Sequence, residues 1–396
     1  MMYGWQKRII KSFSLGVFAA GLFFALPILP SSAQAKTVKD ILGRNVSVPD
    51  HPKRILLGEG RLIYALEPLE GKNLFDRVVG WQGEFKQADT QTYTKIKKSF
   101  PEMDKVAVIG KTTADSVNPE KVLDLNPDLV ILSTSGHGPG LEDPLTLRLQ
   151  KANIPIIFVD FRHDPVTNTV PSLRLLGEAL DRQAEAKAYT DFYKKRLDLI
   201  QSRLKDLPVS KRPTVFLDML AGARPCCHTA GNGNMGHFVD AAGGKNVAAA
   251  LLPGVFGEVS IEQVIASNPD FIVMDGTRGP LAEGPGLRMG ALVNPDDARN
   301  SLNQLSKMPA LANLKASKEK HIYGIWHSYY DNPFNIVAIE AMAKWFHPDL
   351  FADLDPDADL NLIENRFTSI GSGGTYWTSL EEPVFLKDKS ASKKSY

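Results

Sequence analysis

Cysteine is almost missing from this chain of 396 residues: there are two, Cys226 and Cys227, and they are adjacent. A disulfide framework closes loops between distant segments, which neighbouring cysteines cannot do, so disulfides do not build this fold. The spacing matches none of the usual zinc patterns. The pair reads as two small, partly buried thiols, with a vicinal disulfide or a soft-metal contact as alternatives. An excess of one charge is missing too. Against 46 basic side chains stand 45 acidic ones, a formal net of +1. Without a basic surplus no nucleic-acid partner is expected. The apolar run Ser14–Leu26 has 13 residues, short of the roughly 20 that cross a bilayer as a helix. There is no G-x-S-x-G elbow and no G-x-x-x-x-G-K-[ST] loop, so those two nucleophile and phosphate devices are excluded.

What is present begins with an export leader. Lys7, Arg8 and Lys11 form a basic start, the apolar run follows, Pro27 and Pro30 break it, and Ala33-Gln34-Ala35 supplies small residues for cleavage. Residues 1–35 are therefore expected to be a signal peptide, cleaved after Ala35, and the mature chain to be periplasmic. Lys-Arg at 7 and 8 favours the general secretory route over the twin-arginine one. No cysteine follows to carry a lipid. Loss of Lys7, Arg8 and Lys11 leaves 43 basic against 45 acidic residues, a net of −2, so the mature chain is not drawn to anionic membrane surfaces.

Short apolar runs recur with helical stretches between them: 54–57, 78–81, 106–109, 129–132 and 155–159, then 214–217, 271–274 and 321–323. Continuous apolar runs of this length read as parallel strands buried on both faces, and the class as α/β. Between the two groups, Leu173, Leu176, Leu180, Ala184, Ala188, Phe192, Leu197, Ile200 and Leu204 keep a helical period. One long, stiff helix over 166–207, with a break near Asp181, would separate an N-terminal lobe (36–165) from a C-terminal lobe (208–367), leaving an extension at 368–396. One repeat supports two similar lobes. Asn118-Pro-Glu120 … Asn126-Pro127-Asp128-Leu-Val-Ile-Leu132 matches Ser260-Ile-Glu262 … Asn268-Pro269-Asp270-Phe-Ile-Val-Met274 at a constant offset of 142. Each copy reads as an N-capped short helix with an acid in its first turn, a turn, then a buried strand.

These segments resemble the substrate-binding proteins of ABC importers for iron complexes, haem and vitamin B12. The resemblance is carried by Thr37–Ile55, by Asp76-Arg-Val-Val-Gly80, by the two repeat copies and by Ala242-Gly243-Gly244-Lys-Asn246-Val-Ala248. It implies two α/β lobes with mostly parallel central sheets bridged by a single long α-helix. It also implies a binding role without catalysis, with Glu120 and Glu262 docking on basic residues of an inner-membrane permease. The chain would work as a monomer, without a cofactor.

Ligands of open α/β sheets bind beyond the carboxyl ends of the strands. The loops there offer Glu59, Arg61, Trp81, Lys111 and Arg162 in the first lobe, and Arg224, His228, Arg278, Trp326, Tyr329 and Tyr330 in the second. Arginine pairs with carboxylate and catecholate oxygens and aromatics add contact area. The set suits a bulky anionic metal complex of the ferric-siderophore type. Haem, cobalamin and molybdate stay open as alternatives, as does a secreted metal- or cofactor-dependent enzyme. His137, His163, His228 and His327 also fall on these loops, but their spacing does not make them converge on a bare metal. Gly231-Asn-Gly233-Asn-Met-Gly236 matches G-x-G-x-x-G by count; with no strand expected just before it, it reads as a loop that opens a helix.

Overall fold

The computed structural model describes residues 35–278, 284–370 and 373–381. The leader up to Gln34 and the end of the extension lie outside the described residues. Ala35, after which cleavage is expected, is the first residue of strand β1 (Ala35–Lys39), which pairs antiparallel with β2 (Asn45–Pro49).

The first lobe holds β3 (Ile55–Leu57), helix α1 (Ile63–Glu70), β4 (Val78–Gln82), α2 (Glu84–Ala88), α3 (Thr90–Ser99), β5 (Ala107–Gly110), α4 (Pro119–Asp124), β6 (Leu129–Ser133), α5 (Pro144–Lys151) and β7 (Ile156–Val159). Its sheet has the order β5-β4-β3-β6-β7, parallel throughout. All of β3, β6 and β7 is buried, which is why those strands read as unbroken apolar runs.

Two helices bridge the lobes, α6 (Pro165–Leu180) and α7 (Gln183–Leu204). The expected break falls at Asp181, in the left-handed region at φ 59°. The helices turn back on each other there. Arg182 N donates to Gly177 O at 2.7 Å, and a Cβ on Gly177 would run into Ala186. Tyr193 Oη donates to Asn335 Oδ1 at 2.8 Å, and Asn335 Nδ2 donates to Thr169 Oγ1 at 3.3 Å. The bridge is thus a folded pair, pinned to the first lobe by Arg77 on Leu180 O (3.1 Å) and to the second by Tyr189 on Pro333 O (2.9 Å).

The second lobe holds β8 (Thr214–Asp218), β9 (His228–Ala230), α8 (Met235–Ala241), β10 (Lys245–Asn246), β11 (Phe256–Glu258), α9 (Ile261–Ser267), β12 (Phe271–Gly276), α10 (Pro295–Ser306), α11 (Lys315–Lys318), β13 (Ile322–Trp326), α12 (Ile336–Phe346), α13 (Pro356–Arg366) and β14 (Trp377–Ser379). Its sheet runs β10-β8-β12-β13-β14, parallel except for β14. The extension therefore has a place: it adds an antiparallel edge strand to β13. Thr375 ties it further by exchanging hydrogen bonds with Gly290 at 2.7 and 3.1 Å.

The repeat is built alike in both lobes. Asn118 caps α4 by accepting from Lys121 N (2.9 Å), and Ser260 caps α9 by accepting from Gln263 N (3.2 Å). Each cap contributes about 1 kcal/mol. Asn126 and Asn268 both turn left-handed, at φ 44° and 38°. Asp128 then accepts from Lys53 N and Arg54 N, both at 2.8 Å, and Asp270 accepts from Thr214 N at 2.8 Å. Each aspartate fastens its own strand to the start of the neighbour it pairs with, β6 to β3 and β12 to β8.

Candidate functional site

The carboxyl ends of β3, β4, β6 and β7 meet the loops after β13 and the β9–β11 pair of the other lobe. At the centre lies Arg61, in the turn after β3. Its guanidinium is 2% exposed and ringed by carboxylates: Asp331 of the second lobe at 3.3 Å, Glu84 at 3.7 Å and Glu59 at 3.9 Å. It also donates to Tyr330 Oη. Burial by itself would lower the pKa of Arg61, but Tyr330 and the three acids raise it well above its ordinary value. Burial lifts Glu84 to about 7 and Asp331 to about 6, with Arg61 opposing both. Arg61 is thus already neutralised, and it ties one lobe to the other.

Glu59 is held from behind. Its Oε1 accepts from His137 N (2.6 Å) and Gly138 N (2.9 Å). A side chain on Gly136 would collide with that carboxylate, so glycine lets the loop close on it. The neighbouring His137 side chain is held neutral, its pKa pushed down to about 4 by burial and by the charges of Arg61 and Arg162.

Arg162, in the turn after β7, is the opposite of Arg61. Asp160 fixes the turn by accepting from Arg162 N (2.9 Å), His163 N (2.7 Å) and Asp164 N (3.0 Å). The Arg162 guanidinium lies over Tyr330 at 4.9 Å and Phe256 at 5.4 Å. Its Nη1 is buried without a hydrogen-bond partner. Asn234 bridges the lobes here, donating to Arg162 O (2.6 Å) and Tyr330 O (3.0 Å). Across the cleft, His327 Nδ1 bonds Asp275 Oδ1 at 2.9 Å and its ring packs on Tyr330, centroids 4.4 Å apart. Asp218 is pushed up to about 7 by burial and by Asp275. His228 is half-buried opposite Glu258 in the β9–β11 register, with a pKa lowered by burial and Arg224.

The expected set therefore divides. Glu59, Arg61, Arg162, His228 and Tyr330 come together at the cleft. Trp81 lies in the first-lobe core against Phe75 (5.7 Å), Phe85 (6.1 Å) and Tyr93 (6.4 Å). Lys111, Arg224 and Arg278 are exposed on their loops. Trp326 and Tyr329 face away from Arg162, into a cavity they share with Tyr64 and Tyr376. Glu84, Asp331 and Phe256 were not anticipated. Glu84 follows a strand end and carried a usable signal; Phe256 reaches the cleft only through a short antiparallel pair with no clear pattern.

Two local expectations change. The sulfurs of Cys226 and Cys227 are joined as a vicinal disulfide, which replaces the thiol reading. A strand, β9, does directly precede Gly231, contrary to expectation. It pairs antiparallel with β11, so it is not the parallel strand of a dinucleotide-binding unit. Among the described residues no group of three His, Cys, Asp or Glu side chains is placed to hold a metal ion, and no helix is long and apolar enough to cross a membrane.

Comparison with known proteins gives a consistent result. The profile of the family described as periplasmic binding protein matches residues 82–329. An uncharacterized ABC transporter substrate-binding lipoprotein of Bacillus subtilis, YvrC, is 24% identical over 324 residues, covering 80% of this chain and 87% of that protein. A vitamin B12-binding protein of Yersinia pestis is 27% identical over 185 residues, 46% of this chain and 61% of that one. Among solved structures, the TroA-like periplasmic binding protein FepB from Veillonella parvula superposes with a TM-score of 0.78 at 22% identity, covering 87% of this chain and 99% of that one. The molybdate-bound MolA of Haemophilus influenzae does so with 0.66 at 21%, covering 86% and 99%.

Proposed function

Because the chain belongs to the periplasmic binding protein family, the substrate-binding components of ABC transporters, we propose that it captures a ferric-siderophore-type iron complex between its lobes. It hands this guest to an inner-membrane permease, docking through Glu120 and Glu262, and performs no chemistry on it. The residues before Lys36 direct export and are removed.

One observation carries the choice of guest: the Arg162 guanidinium, stacked between Tyr330 and Phe256, with a buried N–H that has no partner. An unpaired buried donor is costly and asks for an acceptor from outside. Flanking rings favour a flat, oxygen-rich anion over a bare ion. His137, held neutral beside Arg61 and Arg162, adds a donor without adding charge. Arg61 acts as the tie between lobes and leaves Arg162 to meet the guest.

Calorimetric titration with ferric catecholates, ferric hydroxamates, ferric citrate, haem, cobalamin and molybdate tests this. A ferric chelate should bind tightest. Arg162→Ala should weaken it by about ten- to 150-fold, the value of one charge-assisted hydrogen bond. Tightest binding of haem, cobalamin or molybdate, or an Arg162→Ala variant with unchanged affinity, would refute the assignment.

A further inference from the structure

A separate small cavity of about 30 Å³, partly open, lies between the lobes and shares none of the cleft residues. The chain divides it from the cleft at adjacent side chains: Tyr330 lies under Arg162, while Tyr329 lines the cavity. Its wall is aromatic, built from Tyr64, Trp326, Tyr329, Phe334 and Tyr376. Two acids line it as well, Glu67 from α1 and Glu364 from α13.

The acids are not equivalent. Glu364 has a partner, since Lys95 Nζ stands 3.9 Å away and also donates to Gly373 O at 3.2 Å. Glu67 is 1% exposed, and neither of its carboxyl oxygens has a hydrogen-bond partner. The Tyr329 hydroxyl, also 1% exposed, has none either. Two buried acceptor groups thus line one space, with a carboxyl in excess over the nearby ammonium. Water would satisfy the hydrogen bonds but makes no use of the five rings. A cation makes use of both, since aromatic faces attract positive charge.

We propose that this cavity takes a small organic monocation, a primary ammonium of one or two carbons, held by Glu67 and the Tyr329 oxygen and walled by the rings. The site stands apart from the cleft and does not depend on what the cleft binds. It joins Glu67 of the first lobe to Tyr329 and Glu364 of the second, so an occupant would brace the inter-lobe contact. Burial raises Glu67 to about 8, with Lys95 opposing. The empty cavity therefore holds a neutral acid near neutral pH, and an entering cation takes the place of its proton.

The test is calorimetry on the full chain with methylammonium chloride, in two buffers of different ionisation enthalpy, beside potassium chloride and ethylene glycol. Saturable methylammonium binding is expected, with release of about one proton at pH 7. Glu67→Gln, isosteric with the protonated acid, should weaken it about thirtyfold or more and leave the affinity for ferric chelates unchanged. Tyr329→Phe, which removes one oxygen, should weaken it severalfold and serves if the glutamine variant folds poorly. No saturable binding, equal response to ethylene glycol, tighter binding of potassium, or full affinity in both variants would overturn the proposal. Arg162→Ala leaves this binding intact, so loss of either site is seen separately.

Discussion

Replacing Arg61 with methionine removes the one cation among three buried carboxylates, and the consequence can be worked out from the distances. Asp331, Glu84 and Glu59 stand 3.3, 3.7 and 3.9 Å from the guanidinium. At an effective dielectric of about 20, each pair is worth roughly 4–5 kcal/mol in gross attraction. Desolvation of the groups offsets most of that, and deleting one partner of a buried pair costs about 3–5 kcal/mol net. The loss should depend on pH. Arg61 holds the pKa values of Glu84 and Asp331 down against the upward push of burial. Without it both rise further, so the folded variant binds protons more tightly than the parent. Stability then falls more steeply with rising pH. The penalty should be about 3–5 kcal/mol at pH 8 and smaller at pH 5, where Glu84 and Asp331 are mostly protonated in both proteins. Urea unfolding at the two pH values, followed by far-ultraviolet dichroism and by tryptophan fluorescence, measures it. A penalty under about 1 kcal/mol, or one equal at both pH values, would mean that Arg61 does not hold these charges.

The parent chain should melt higher at pH 5 than at pH 8. Glu67 at about 8, Asp218 and Glu84 at about 7 and Asp331 at about 6 all lie above their unfolded values. Their contribution is fully present below the unfolded carboxyl range and is lost as pH rises through 6 to 8. His137, depressed to about 4, and His228 and His347, also lowered by burial, work the other way, their contribution present above the unfolded pKa and lost as pH falls. Glu340, raised to about 9 by burial, adds to the acids. A scanning melt series decides, and a profile that rises toward pH 8 contradicts the burial of those acids. Reversing both Glu120 and Glu262 to lysine should abolish uptake in a transport assay and leave guest affinity intact, because both carboxylates are exposed and neither contacts Arg162 or Arg61. Undiminished uptake removes the docking role.

Local rules already settled much of this molecule in one dimension. Each of the eight expected strands is present. Most are buried on both faces, which needs a continuous apolar run, and little else produces one at that length, while β5, at the sheet edge, leaves Val108 exposed. The repeat marked two lobes for a similar reason: capping asparagine or serine, left-handed asparagine and strand-fastening aspartate are all local chemistry with a fixed spacing. The break at Asp181 was legible, but the fold-back of α7 on α6 was not. That depends on Gly177 meeting Ala186 across the turn and on Asn335, 166 residues further on, reaching Thr169, so side-chain packing and a distant segment decide it. The site divided along the same line. Arg61 and Arg162 carry the same side chain on equivalent strand ends, and nothing in the sequence tells them apart. Three carboxylates drawn from different elements neutralise the first, and two rings leave the second unpaired. Trp326, Tyr329 and Tyr330 lie within five residues, yet the turn after β13 sends two into one cavity and the third into the cleft. Strand identity follows from composition over a few residues; charge balance and side-chain direction depend on which distant segments the fold brings within a few ångströms.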